Sequence, residues 1–272
     1  MMLRPTESPH LSSTTSSPDR TFSSLPEMDD DEKGDINNNH NQSFKHIKII
    51  EDIDDTHSAS FNSWPPQIEN INLFKIHNDF LNDCNNKYKS LISNIISNDT
   101  TIWMINSTST GGGVAEMLPM LINIFKDSTN INMKWCVISP SKDDHQQQAF
   151  FNITKQIHNN IHGVFNPKTM EILNKSHRLI LESVCKKCCD EFIPLIKPND
   201  IIIIHDPQPL PMIKFLKKKI NNIIIWRSHI GIDDKQNEIT NTTWKYLKPY
   251  INLSDHVIFS LKDYIPNFII KE

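Results

Sequence analysis

The sequence predicts an α/β domain, a Rossmann-like parallel sheet with helices on both faces, behind a Ser/Thr/Asn/Asp-rich tail. Three observations predict it. Short apolar runs of strand length, Thr101–Asn106, Ile201–Ile204 and Ile223–Trp226, alternate with longer stretches of helical periodicity. The Ile201–Ile204 run is apolar throughout, which suits a strand buried on both faces. The first of these strands runs into Gly111-Gly112-Gly113 and then a helix. In such a turn glycines adopt positive φ, and the unpaired N–H groups of the helix start point at an incoming anion. A plain βα turn without a ligand is the other reading.

Residues 1–45 carry Ser, Thr, Pro, Asn and the acidic run Asp29–Asp35. Such a segment buries too little apolar surface to offset its ordering entropy and is expected to be a disordered tail. Residues 46–272 form the expected domain. Ile47, Ile49 and Ile50 mark a short strand, Trp64-Pro65-Pro66 a turn, and residues 77–97 a helix with Phe80, Leu81, Tyr88, Leu91, Ile92 and Ile95 on one stripe. After the glycines a helix is expected over Val114–Lys126, kinked by Pro119. A strand over Met133–Ile138 follows. Next comes a helix over Gln146–His162, with Phe150, Ile153, Ile157 and Ile161 at spacings of three and four and Gly163 as its stop. Further helices are expected over Lys168–Leu195, Ile213–Ile220 and Thr242–Leu253, and a last strand over His256–Ser260.

With 272 residues, 38% of them hydrophobic, the chain can bury a sizeable core. A net charge of −4 gives no electrostatic footprint for nucleic acid or an anionic membrane, so neither is expected as a partner. No run approaches the roughly 18 apolar residues of a membrane helix, and the N-terminus lacks a signal-peptide core, so a cytoplasmic location is expected. Cys84, Cys136, Cys185, Cys188 and Cys189 lack a framework spacing and read as free thiols. His158 and His162 have the spacing of a metal half-site but lack the intervening Glu of the zinc-protease helix. Cys185 and Cys188-Cys189 lack a second pair. No metal or cofactor is expected.

In a parallel sheet the residues past the strand C-termini share one edge, where ligands bind. Asn106 and the glycines, then His205-Asp206-Pro207-Gln208, then Arg227-Ser228-His229 all fall there. Each has a structural alternative. Asp206 can be the N-cap of the next helix, His205 and His229 satisfied core histidines, and Arg227 an ion-pair partner of Asp206 or Glu116. The lysines at 217–219 read as a solvated helix end.

The motifs Asn106-Ser-Thr108, Gly111-Gly-Gly-Val-Ala-Glu-Met-Leu118, Phe150-Phe151 with Thr154-Lys155 and Ile157-His-Asn159, His162-Gly163, His205-Asp-Pro-Gln-Pro209, and Trp226-Arg227 with His229-Ile230 recur in this order. Over residues 101–260 the chain resembles the N-terminal domain of the trehalose synthase and trehalose phosphorylase family, retaining glycosyltransferases of two Rossmann-like domains in the GT-B arrangement. The resemblance implies that this domain holds the acceptor sugar while a C-terminal domain holds a nucleotide-glucose or phosphate-bearing donor. By motif position Gly112 and Gly113 would approach the donor phosphates, with Glu116 beside them. Asp206 and His205 would bond sugar hydroxyls with Gln208 near, Arg227 and His229 would face the transferred glucosyl group, and Lys155, His158 and Asn159 would line the acceptor side. Asp206, Arg227 and His229 are the catalytic candidates.

The implied partners are glucose or trehalose, a nucleotide-glucose or phosphate, and a chain supplying the donor domain. N–H donors aimed at a departing diphosphate would stabilise its growing charge. No carboxylate pair with the spacing of a double-displacement hydrolase is evident. Two departures stand out. Gly231 replaces the Asp that follows the Trp-Arg-x-His-Ile motif in the family, which would cost a cleft hydrogen bond. The sequence also stops at Glu272, where the first domain would hand over to the second, so this polypeptide is expected to be inactive alone. The alternative is a non-catalytic sugar-binding or regulatory module that kept the cleft.

Overall fold

The computed structural model describes residues 2–3, 45–50, 83, 99–128, 131–138, 145–164, 173–231 and 238–270. The tail apart from residues 2, 3 and 45, the Trp64 turn and, except for residue 83, the helix expected over 77–97 lie outside the described residues.

Among the described residues seven strands form one sheet: β1 (Met2–Leu3), β2 (Ile47–Ile50), β3 (Thr101–Asn106), β4 (Asn132–Ile138), β5 (Ile201–His205), β6 (Ile223–Ser228) and β7 (His256–Phe259). Their order across the sheet is β1-β7-β6-β5-β3-β4-β2. The strands from β3 to β7 run parallel, while β1 and β2 add antiparallel edges. From β3 the chain goes to β4 on one side and then returns to β5 on the other. That reversal puts the topological switch point, where α/β sheets open a crevice, between the C-terminal ends of β3 and β5.

The helices are α1 (Gly113–Ser128), α2 (His145–Ile161), α3 (Lys175–Phe192), α4 (Met212–Leu216), α5 (Glu238–Ile251) and α6 (Asn267–Ile270). One sheet face packs Trp103, Ile105, Ile202, Ile204, Ile224 and Trp226 against Phe150, Ile153, Ile157 and Ile161 of α2 and the buried faces of α3, α4 and α5. On the other face Met104, Trp135 and Val137 meet Ala115, Leu118 and Ile122 of α1. The double-sided burial expected of β5 is therefore corrected: Ile202 and Ile204 are buried while Ile201 and Ile203 are only partly so. The reason is reach, since among the described helices α1 is the one seated on that face and it lies over β3 and β4.

Local chemistry moves several boundaries. β6 runs two residues past Trp226, so Arg227 lies inside the strand, opposite His205, rather than beyond it. α3 starts at Lys175, with Leu173 and Asn174 outside it, because the Asn174 side chain accepts from the amides of Ser176 (2.9 Å) and His177 (3.1 Å), while the Asn174 amide reaches Nδ1 of His177 at 3.4 Å; residues 168–172 of the expected helix lie outside the described residues. α4 ends at Leu216, four residues short of the expected Ile220, and Lys217–Lys219 form turns. Pro119 sits inside α1, where it offers no N–H to the carbonyl of Ala115. Asn160 Nδ2 donates to Thr243 Oγ1 (3.1 Å) and Thr240 Oγ1 donates to the Asn160 carbonyl (2.8 Å), joining α2 to α5.

Two carboxylates fasten the sheet. Buried Asp200 accepts from the Thr101 amide (2.8 Å), Trp103 Nε1 (2.9 Å) and the Lys197 amide (2.9 Å), pinning β3 beside β5. Glu191 of α3 accepts from the amides of Lys45, His46 and Ile47 (3.1, 2.9 and 3.1 Å) and contacts His46 Nδ1 (2.6 Å), which anchors the start of β2. These bonds hold the Glu191 carboxyl below the usual range although burial opposes them. Cys136, Cys185, Cys188 and Cys189 are buried free thiols, and burial pushes Cys188 up to about 12. Among the described residues no helix is long and apolar enough to cross a membrane.

Candidate functional site

At the end of β3, Asn106 is tied down. Its Oδ1 accepts from Trp135 Nε1 (2.7 Å) and its Nδ2 donates to the Thr108 carbonyl (2.7 Å). Asn106 therefore shapes the loop rather than offering a free amide to a ligand. Thr108 Oγ1 then bonds the Thr110 carbonyl (2.7 Å) and amide (3.2 Å), turning the chain into the glycines. Gly112 has φ +117, outside the range of L residues, and a Cβ at Gly111, Gly112 or Gly113 would meet no atom within 4 Å. Backbone conformation, not crowding, requires glycine at 112. The loop's peptide groups stay open to approach. Glu116 is exposed in the first turn of α1, and its amide bonds the Gly112 carbonyl (3.2 Å) to begin the helix.

Asp206 follows β5 in the left-handed region, at φ +63. Non-glycine residues seldom sit there, though Asp tolerates it better than most. Three bonds fix it: its amide donates to the Arg227 carbonyl (2.8 Å), its carbonyl accepts from Trp226 Nε1 (3.0 Å), and its Oδ1 accepts from the His229 amide (2.8 Å). The N-cap alternative is thereby set aside, since α4 begins at Met212 behind Pro211 and has no side-chain cap. Burial pushes the Asp206 carboxyl up to about 6, against the lowering effect of the His229 amide and the Arg227 charge. Arg227 makes no ion pair with a described residue, and its buried Nε has no partner. The alternative reading of Arg227 as an ion-pair partner of Asp206 or Glu116 is thereby set aside, and the Asp206 charge acts on it across space. Burial lowers the guanidinium's pKa and Asp206 opposes that.

His205 is fully buried, on the α1 face beside Met104. Its Nε2 lies 3.3 Å from Met104 Sδ and its Nδ1 lies 2.9 Å from Nε2 of His229. The two rings stack at 5.2 Å between centroids and 16° between planes. His229 Nδ1 in turn lies 3.2 Å from Oγ of exposed Ser260. Burial first, then the His229 and Arg227 charges, lowers His205 to about 3, while burial and Arg227 lower His229 to about 4. Both rings are neutral at neutral pH. His205 is thus a satisfied buried histidine, and it reaches a ligand only through His229.

Beside these groups opens a cleft of about 610 Å³, lined by Ser107–Gly111, Lys48 of β2, Phe151, Thr154, Lys155 and His158 of α2, and Gln208. The structure brings Lys155, His158, Gln208 and the glycine loop together. Asp206, His205, Arg227 and His229 form a second group at the ends of β5 and β6, joined to the first by Gln208, whose buried Oε1 has no partner. Asn159 is half-buried and does not line the cleft; nor do Gly112, Gly113 and Glu116, where Gly111 does. The His158 and His162 rings lie 4.5 Å apart between centroids, tilted by 53°, and burial followed by the His162 charge lowers the His158 pKa. No group of three or more metal-ligating side chains is present among the described residues. Sequence reasoning missed Lys48, Met104 and Ser260. Met104 reads as core, and neither Lys48 nor Ser260 stands in a motif.

The fold and the cleft at the switch point define the class: a doubly wound, Rossmann-like α/β domain with its polar residues on the carboxyl edge of the sheet. The family model for trehalose synthase, N-terminal domain, matches residues 104–266, and the chain belongs to that family. It is 34% identical over 167 residues to the trehalose synthase of Thermococcus litoralis, spanning 61% of this chain and 36% of that protein, with the same figures for that of Pyrococcus furiosus. The trehalose synthase of Rubrobacter xylanophilus is 28% identical over 163 residues, spanning 60% of this chain and 35% of its own length. The chain therefore spans about a third of the length of the curated relatives it matches. Among solved structures, a trehalose-6-phosphate synthase is 18% identical with a TM-score of 0.48, over 61% of this chain and 41% of that one.

The departure at Gly231 has a steric reason. A Cβ there would stand 2.5 Å from Tyr264 Cγ and 2.7 Å from Tyr264 Cα, so no side chain fits.

Proposed function

We propose that this domain is the acceptor-side wall of a retaining glycosyltransferase of the trehalose synthase type, which moves a glucosyl group from a nucleotide-glucose or glucose 1-phosphate to glucose. The observation that carries the reading is a 610 Å³ cleft lined by the glycine loop after β3 and by Gln208 after β5, two residues along the chain from Asp206. Family membership supports it.

In this reading Lys155, His158 and Gln208 bind acceptor hydroxyls, with Gln208 Oε1 supplying an acceptor that the protein itself leaves unpaired. The amides of the loop and of the start of α1 face the donor phosphates, with Gly112, Gly113 and Glu116 at that end. There they stabilise the negative charge that grows as the glycosidic bond breaks. Arg227 and His229 face the glucosyl group, and Asp206 holds the His229 backbone while presenting its second oxygen to a hydroxyl. The reaction is cytoplasmic, and a chain carrying the donor domain completes the cleft. Chemistry in such a cleft depends on positioning by both walls.

Titration calorimetry with glucose and trehalose tests the reading, with Asp206→Ala as control. Heat from either sugar that the variant abolishes is the expected result. No heat from either sugar refutes a sugar cleft, and trehalose formed by the polypeptide alone from glucose and a nucleotide-glucose refutes the need for a second wall.

A further inference from the structure

The geometry points to His205 as a positioning residue that, anchored on Met104 Sδ, fixes His229 as the neutral tautomer carrying its proton on Nε2, so that the bare Nδ1 is left to accept a hydrogen bond from a ligand hydroxyl. The argument runs outward from the core. A thioether sulfur carries no hydrogen and can only accept. The contact of 3.3 Å between His205 Nε2 and Met104 Sδ, at a fully buried ring, therefore requires the proton on Nε2. The reverse tautomer would set a nitrogen lone pair against sulfur lone pairs and leave both unsatisfied.

His205 is neutral, so one proton is all its ring holds and Nδ1 is bare. At 2.9 Å from that atom, His229 Nε2 must be the donor. His229 is neutral too, which leaves its own Nδ1 bare and makes Ser260 Oγ–H the donor across 3.2 Å. All three bonds share one direction: Ser260 to His229, His229 to His205, His205 to Met104. The charged side chains that face the pair are Asp206, which takes the His229 amide, and Arg227, whose positive charge further disfavours a second proton on either ring.

The order of protons is independent of the function proposed above, whereas its use, the capture of a sugar hydroxyl, rests on that reading. Ser260 is exposed, and a ligand hydroxyl can take its place at His229 Nδ1 with the same donor chemistry. An ionised phosphate or carboxylate oxygen, having no proton to give, is turned away at that atom. Met104 thus sets, through two rings, which kind of group docks at His229 Nδ1.

Nitrogen-15 NMR of the full chain, reading the long-range couplings of each imidazole, tests this. In the wild type both His205 and His229 should show a protonated Nε2 and a bare Nδ1 at neutral pH. Met104→Leu keeps the volume but removes the acceptor. It should move the His229 proton to Nδ1 in a substantial fraction of molecules, while Ser260→Ala, an exposed change, leaves both tautomers as they were. A wild-type His229 protonated on Nδ1 overturns the inference, and so does a Met104→Leu chain with native amide shifts and an unchanged His229 tautomer. Adding glucose separately reads the function: a shift confined to His229 Nδ1 supports hydroxyl capture, and no shift counts against the proposed cleft but not against the order of protons.

Discussion

Replacing Asp206 by Asn should stabilise the protein at neutral pH and do little in acid. The Asn side chain stands in for the protonated acid, keeps an oxygen for the His229 amide, and accepts φ +63 as readily as Asp does. In the fold the Asp206 carboxyl titrates at about 6 against an ordinary value of 3.8. Those values differ by about two pH units, each worth about 1.4 kcal/mol, so the ionised carboxylate costs the fold about 3 kcal/mol. The folded value is the higher one, so the carboxyl's favourable contribution is whole below pH 3.8 and is lost as pH rises through about 6.

His205 and His229 have the opposite sign. Their folded values are lowered, so their contribution is present above 6.5 and is lost as pH falls toward about 4 and then about 3. Both proteins share that acid limb and it cancels in the difference. Urea unfolding at a series of pH values measures the comparison. Asp206→Asn should exceed the wild type by about 3 kcal/mol near neutrality and by under about 1 kcal/mol near pH 4. A difference that does not change with pH, or a variant less stable at neutrality, would refute the assignment of a buried, reluctantly ionised carboxyl. The same substitution should weaken any sugar binding, the usual exchange of stability for a site.

Other substitutions test the frame around the site. Glu191→Ala removes the acceptor of three backbone amides and of His46 Nδ1, and should cost roughly 2 to 4 kcal/mol, with the amides of β2 losing most of their protection in hydrogen exchange. Gly112→Ala meets no atom within 4 Å but must adopt φ +117, so it should lose about 1 to 3 kcal/mol in thermal unfolding from backbone strain alone. Gly231→Ala drives a methyl into Tyr264 and should cost roughly 1 to 3 kcal/mol, of which a Tyr264→Gly second change recovers part.

Much of the frame was legible from composition and period. Thr101–Asn106 reads as a strand because it is a short apolar run that a Ser/Thr-glycine turn brings to an end, and the stripe of Phe150, Ile153, Ile157 and Ile161 reads as a helix face because spacings of three and four put them on one side. Those four residues are all buried. The start of α3 was not legible, since a capping Asn with His in the reciprocal role lies outside the usual Ser/Thr and Glu/Gln pattern. The ends of β5 and β6 were placed short because His205 and Arg227 read as loop residues; backbone pairing of one with the other carries both strands on.

By itself, the sequence determined the layers, the alternation of strand and helix, and the three polar segments that fall on one sheet edge. These follow from local periodicity and from the rule that parallel strands end together. Tertiary structure alone decided that His205 is buried on Met104, 101 positions away, that His229 bridges it to Ser260, and that Asp206 is locked in a left-handed conformation by bonds from β6. Charge and proton position in a site depend on burial and on partners distant in the chain, and neither quantity exists until the sheet is assembled.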